Sequence, residues 1–302
     1  MSQEQLERTC WRGVQVDCPA DWEVSIASGP DEEGRLSFVD RRYLRLDLRW
    51  KSLAFAPDLD LLMTKYREPR VTREKIEVLK VSSLPGEWRG VLRKGEESNF
   101  LHAGRYFKDA GVLVEATIVW PGRRNLDLEC RILNSIAPQD PQASRHHWRA
   151  LGLDVLAPDE YDLHVNDAKV GRVGWTFAAG AKPRSPRVLA ERIAMVDYWL
   201  KEPLDKWLVE GLPPRSKVLE QGVTSFNGHE GQRLLSCTKV GTLATLRGRR
   251  LLRVDVAWLC PVDGRLYHVA HWKVQRERSL ELPAEWKMDC CRQVAALSAA
   301  GL

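Results

Sequence analysis

Trp11-Arg-Gly-Val-Gln-Val-Asp-Cys-Pro19-Ala-Asp-Trp22 is echoed 137 residues downstream by Trp148-Arg-Ala-Leu-Gly-Leu-Asp-Val-Leu-Ala-Pro158-Asp-Glu-Tyr161. The echo continues along the chain. Gly34-Arg-Leu-Ser-Phe38 recurs as Gly171-Arg-Val-Gly-Trp175 at the same 137-residue offset. Val81-Ser-Ser-Leu-Pro-Gly86 matches Val223-Thr-Ser-Phe-Asn-Gly228, and Gly111-Val-Leu-Val matches the start of Gly264-Arg-Leu-Tyr. Leu126-Asp-Leu-Glu-Cys130 parallels Trp286-Lys-Met-Asp-Cys290. Five matches kept in order, at a period the size of a domain, indicate a tandem duplication and not a solenoid.

The polar, proline-containing stretch Ala137–His147 reads as a connection between halves. The expected organisation is residues 1–138, a linker at 139–146, and residues 147–302. Tyr43-Leu-Arg-Leu-Asp-Leu-Arg-Trp50 alternates with period two and predicts a half-buried strand. Its counterpart Arg192–Trp199 alternates less cleanly and has helical propensity, but is read as a strand from its place in the repeat. Stretches opening at Pro57 and Pro203 carry an early acid and helical apolar spacing. Arg249–Leu259 and Arg265–Trp272 flank Asp263-Gly264, a hairpin signal. Leu126–Ile136 and Glu285–Leu297 read as closing helices. The expected class is α+β: two tandem homologous domains, each a mainly antiparallel sheet packed with helices.

The order of elements resembles the PsbP/DcrB-like fold, through Pro19-x-x-Trp22, the proline-led helix, Gly111-x-Leu-Val, a meander and a last helix. That fold is shared by the photosystem extrinsic protein PsbP, a yeast Ran-binding import factor and Eag-type chaperones. The resemblance spans both halves, implies a protein-binding or chaperone-like role, and assigns no residue a task.

Composition narrows the function classes. The 302 residues carry 46 Lys+Arg against 41 Asp+Glu, so the net charge of +5 permits an acidic partner without announcing a nucleic-acid binder. The polar start and the lack of any long apolar run predict neither a leader nor a transmembrane helix, hence a cytoplasmic protein. Seven scattered cysteines without a Cys-x-x-Cys read as reduced thiols. His268 and His271 sit three apart on a strand and face opposite ways, and Cys290-Cys291 would diverge on a helix, so no metal is expected. No phosphate loop, dinucleotide fingerprint, Gly-x-Ser-x-Gly or His-Glu-x-x-His occurs, so neither cofactor nor enzymatic activity is expected.

The twelve tryptophans and the arginine clusters remain. Several tryptophans fall at matched positions in the halves and read as core; Trp88, Trp199 and Trp207 have no obvious counterpart and are candidates for a partner groove. Arg45, Arg49 and Lys51 share one strand face, and Arg247, Arg249 and Arg250 crowd a loop; arginines in such positions can grip carboxylate or phosphate. The expected function is a non-enzymatic adaptor or chaperone-like protein that binds a protein or peptide. The alternative is a nucleic-acid binder using the arginine-rich strands and the Arg247–Arg250 loop.

Overall fold

The computed structural model describes residues 5–30, 32–66, 77–81, 83–140, 142–240 and 248–291. The chain forms two compact units, residues 1–143 with 147–151, and residues 144–146 with 152–302. Residues 147–151 thus belong to the first unit and not to the second, where the sequence reading placed them. Trp148 meets Trp11 edge-on at 5.8 Å, and Arg149 stands opposite Cys10 in an antiparallel ladder. Burying two indoles against each other outweighs the repeat boundary.

The first unit runs β1 (Leu6–Trp11), β2 (Val14–Pro19), β3 (Glu23–Ser28), β4 (Glu33–Val39), β5 (Leu44–Ser52), α1 (Leu59–Thr64), β6 (Glu77–Val81), β7 (Arg89–Lys94), β8 (Ser98–Phe107), β9 (Val112–Pro121), α2 (Leu126–Ser135), β10 (Ala137–Pro138) and β11 (Arg145–Ala150). The second continues with β12 (Leu153–Pro158), β13 (Asp162–Lys169), β14 (Arg172–Ala178), β15 (Arg187–Ile193), α3 (Val196–Trp199), α4 (Leu204–Glu210), β16 (Lys217–Phe226), β17 (His229–Lys239), β18 (Arg250–Cys260), β19 (Arg265–Gln275) and β20 (Lys287–Met288). Each unit is built on a seven-stranded antiparallel sheet with the same winding, β3-β4-β5-β9-β8-β7-β6 and β13-β14-β15-β19-β18-β17-β16. Even the register slips in the first hairpins correspond, at Val24/Ile26 and at Leu163/Val165.

The α+β expectation is overturned. Strand accounts for about 55% of the described residues and helix for about 10%. The four helices found among the described residues span only 4 to 10 residues. Two specific readings fail with it. β15 stops at Ile193, and Val196–Trp199 closes into one helical turn after Met195, which holds a left-handed backbone at φ 56°. The segment from Glu285 reaches the expected closing helix nowhere among the described residues; Lys287 and Met288 pair with Leu156 and Val155 instead. Tertiary strand pairing overrides local helical preference there. Residues 292–297 of that expected helix lie outside the described residues. The helical layering implied by the PsbP/DcrB-like resemblance is therefore not the architecture found.

Packing explains where the tryptophans go. Nine of the twelve are buried, among them Trp11, Trp175 and Trp258 at no more than 1% exposure. Trp50 lies across Gly34 on the neighbouring strand, and a Cβ added at Gly34 would sit 2.2 Å from the indole. Gly34→Ala is expected to destabilise by about 1–3 kcal/mol through overpacking. Gly222→Ala, on the exposed edge strand with nothing within 4 Å, should change stability by no more than about 0.5 kcal/mol. Urea unfolding of the two variants separates these expectations.

Candidate functional site

The face of the second sheet beneath α4 carries charge where a β-sheet core would ordinarily be apolar. Strand register places Glu191 of β15 beside His268 of β19, and Asp255 of β18 lies within reach of the same imidazole. His268 is buried, with Nδ1 3.3 Å from Glu191 Oε2 and Nε2 2.9 Å from Asp255 Oδ1. Arg172 pairs with Glu191 at 2.6 Å, and Arg253 takes Asp255 with two nitrogens at 2.7 to 3.0 Å. Burial alone would push the imidazole down, but hydrogen bonds and charge from Asp255 and Glu191 raise its pKa above the ordinary histidine value. Burial likewise opposes ionisation of the two carboxyls, yet their bonds to His268 and to the arginines hold both below the usual range. The cluster is an imidazole held between two carboxylates, each backed by an arginine.

Trp207 on α4 covers this cluster, its ring 5.4 Å from His268 and nearly perpendicular to it. Trp199 leans on Trp207 at 6.2 Å and donates through Nε1 to the Ala194 carbonyl at 2.9 Å. The turn that presents them is tied down, since the Ala194 amide donates to Gly171 O at 2.7 Å. Outside this base stand Met195 at 58% exposure, Tyr198 at 82% and Val170 at 99%. Met195, Tyr198 and Val170 are thus exposed apolar side chains close in sequence to the Gly171–Ala194 link that ties this turn down, and the Met195 methyl lies near Gly171.

The equivalent face of the first unit is open. Arg35 and Arg49 pair with Asp47 at 2.7 and 3.1 Å, and Ser37 donates to it at 2.5 Å. Tyr66, just after α1, stacks on His102 at 4.2 Å and donates to Glu115 at 3.0 Å; Lys65 also reaches Glu115. Tyr66, His102, Glu115 and Lys65 line a cleft of about 350 Å³ together with Asp47, Arg49, Arg93 and Thr117. Burial and the Glu115 charge push the Tyr66 phenol well above its ordinary pKa, the opposite of activation.

The residues singled out from sequence separate accordingly. Trp199 and Trp207 come together. Trp88 is a core residue, 2% exposed and donating to Leu133 O, so the groove role is withdrawn from it. Arg45, Arg49 and Lys51 do share a face of β5, but Arg45 pairs with Asp40 at 2.9 Å and lies against Trp22 and Trp120, while Arg49 is committed to Asp47. Lys51 is exposed. Arg249 and Arg250 are exposed at the start of β18, and Arg247 lies outside the described residues. Sequence reasoning missed Met195 and Tyr198 because the Arg192–Trp199 stretch is read as a strand from its place in the repeat, and it gave Val170 no role. Groups able to hold a metal gather elsewhere in the second unit, at His229, Cys260, Cys290 and Cys291.

No family model matches the chain, and no curated protein matches it by sequence. Among solved structures it is similar to the apo immunity protein TplEi of the T6SS from Pseudomonas aeruginosa, at 11% identity and TM-score 0.39, over 95% of this chain and 98% of that one. The same protein complexed with "L" peptide matches at 12% identity and TM-score 0.33, over 98% and 96%. At these scores the likeness decides nothing for this chain.

The clamp has a definite pH signature. The raised His268 contributes stability that is complete below its unfolded value near 6.5 and is lost as pH rises through its folded value. The lowered Asp255 and Glu191 contribute stability present above unfolded values of 3.8 and 4.5, lost as pH falls through their folded values. Urea unfolding across pH should therefore show a decline on the alkaline side that His268→Ala abolishes. That variant should also lose about 3–5 kcal/mol near neutrality, because two buried carboxylates are left facing each other.

Proposed function

We propose that the chain is a non-enzymatic protein-binding protein, and that the Val170–Met195–Tyr198–Trp199 platform is where it takes its partner. The observation that supports this most is Tyr198, 82% exposed beside two packed tryptophans whose floor is a satisfied buried ion cluster. Exposed aromatics cost solvation unless covered, and a preorganised base lowers the entropy lost when a partner covers them. The partner this surface fits is a protein segment presenting apolar side chains at its centre. The adjoining edge strand β13, exposed along most of its length, offers main-chain groups for an added strand. Seven cysteines without a disulfide among the described residues suit a reducing compartment such as the cytoplasm, and no described helix is long and apolar enough to cross a membrane.

The nucleic-acid alternative loses its main support, since Arg45 and Arg49 already have carboxylate partners. Absence of catalysis belongs to the same proposal, supported by the mutual engagement of the first-unit cleft residues.

The test is capture from native lysate with nuclease, at about 0.1 and 1 M salt, followed by titration of the purified captured protein against wild-type, Tyr198→Ala and Trp199→Ala chains. The expected result is a protein retained at both salts whose Kd weakens about tenfold or more in Tyr198→Ala, with Tm unchanged in that variant. Equal affinity for wild type and Tyr198→Ala, or recovery of nucleic acid lost at high salt, would overturn the reading.

A further inference from the structure

At the far end of the second sheet three separate segments bring sulfur and nitrogen to one point. His229 opens β17 directly after the Asn227-Gly228 hairpin turn, where both residues have positive φ. Cys260 closes β18, and the β17–β18 register that pairs Gly231 with Trp258 runs on toward these two residues. Cys290 and Cys291 follow β20, which is held against the hairpin by a hydrogen bond from the Asn227 side chain to Met288 O. The Cys291 sulfur lies 2.9 Å from His229 Nε2, 3.5 Å from Cys260 Sγ and 3.5 Å from Cys290 Sγ. All four ligand atoms fall within 4.8 Å of one another.

We propose that His229, Cys260, Cys290 and Cys291 bind one Zn²⁺ ion in a structural Cys₃His site, independently of the partner surface. With Zn–S bonds of about 2.3 Å, thiolates at tetrahedral angles stand about 3.8 Å apart, close to the observed sulfur separations. Three sulfurs and an imidazole nitrogen form a borderline-soft set that suits zinc over calcium or magnesium. The surroundings fit a closed site. Cys260 and Cys290 are buried, His229 and Cys291 are partly open to solvent, and Trp258 Nε1 donates to Cys290 Sγ at 3.5 Å. That indole is stacked between Phe226 and Tyr267, so the donor is fixed before the metal arrives. Binding releases the thiol protons to solvent and leaves three thiolates on the ion. A disulfide between any two of these cysteines would leave the third thiol and the imidazole converging on nothing. The ion would staple the β16–β17 hairpin, the end of β18 and the chain after β20.

The test uses the untagged full chain, purified under reducing conditions, dialysed with zinc and then freed of excess. Metal is quantified by mass spectrometry, and cobalt is substituted as a spectroscopic probe. The expected result is about one zinc per chain, intense visible bands of tetrahedral cobalt with thiolate charge transfer, and at least about tenfold weaker zinc retention in Cys291→Ser and in His229→Ala against a competing chelator. Fewer than about 0.1 zinc per chain with all thiols reduced would overturn the proposal, as would undiminished retention in a folded Cys291→Ser chain. So would a cobalt spectrum of octahedral oxygen coordination. Should Cys→Ser chains fail to fold, the wild-type stoichiometry and cobalt spectrum decide alone.

Discussion

His268 sits inside a seven-stranded sheet with a carboxylate on each ring nitrogen, and the second unit is arranged around making that tolerable. A buried imidazole between two acids is stable only when charged, and the acids are stable only while it stays charged. Arg172 and Arg253 close the network from either side. Trp207 then seals it from water and, by its position, fixes Trp199. The exposed platform depends on this chain of supports, because a loosely held aromatic patch would collapse onto the sheet it stands on.

The first unit shows what the same scaffold does without that seal. Arg35 and Asp47 occupy the positions of Arg172 and Glu191, as the shared register β4–β5 and β14–β15 requires. Where the second unit has His268 next to Glu191, the first has Thr117 next to Asp47. Smaller Thr117 leaves room, and Tyr66 and His102 stack over an open cleft. One duplicated sheet thus carries an ionic face lining a cleft in one copy and a buried ionic cluster under an aromatic cover in the other.

Much of the scaffold is legible in residues. The period-two alternation of β5, the Asp263-Gly264 hairpin, the proline-led starts of α1 and α4 and the α2 segment after Asn125 all stand where local chemistry puts them. The matched segments also correspond to two sheets of identical strand order. The α+β class was misread for a physical reason. Edge strand β16 is largely exposed on both faces, so it shows no alternation, and β20 is extended only because β12 pairs with it. The site was less legible still. His268 can be recognised as a clamp only once register sets it beside Glu191 and within reach of Asp255. Cys260 and Cys290 stand 30 residues apart in sequence, and nothing local announces that they meet. Trp199 and Trp207 alone were visible in advance, as tryptophans lacking a counterpart in the other half.

The account stands or falls on the charge state of one ring. Nitrogen and carbon chemical shifts of the His268 imidazole, assigned by comparison with His268→Ala and followed from acid to alkaline pH, measure it directly. The account predicts a doubly protonated ring through neutrality, titrating above the ordinary histidine range and moving the Trp207 indole signal with it. A neutral ring at pH 7, or a Trp207 signal indifferent to its titration, would contradict it.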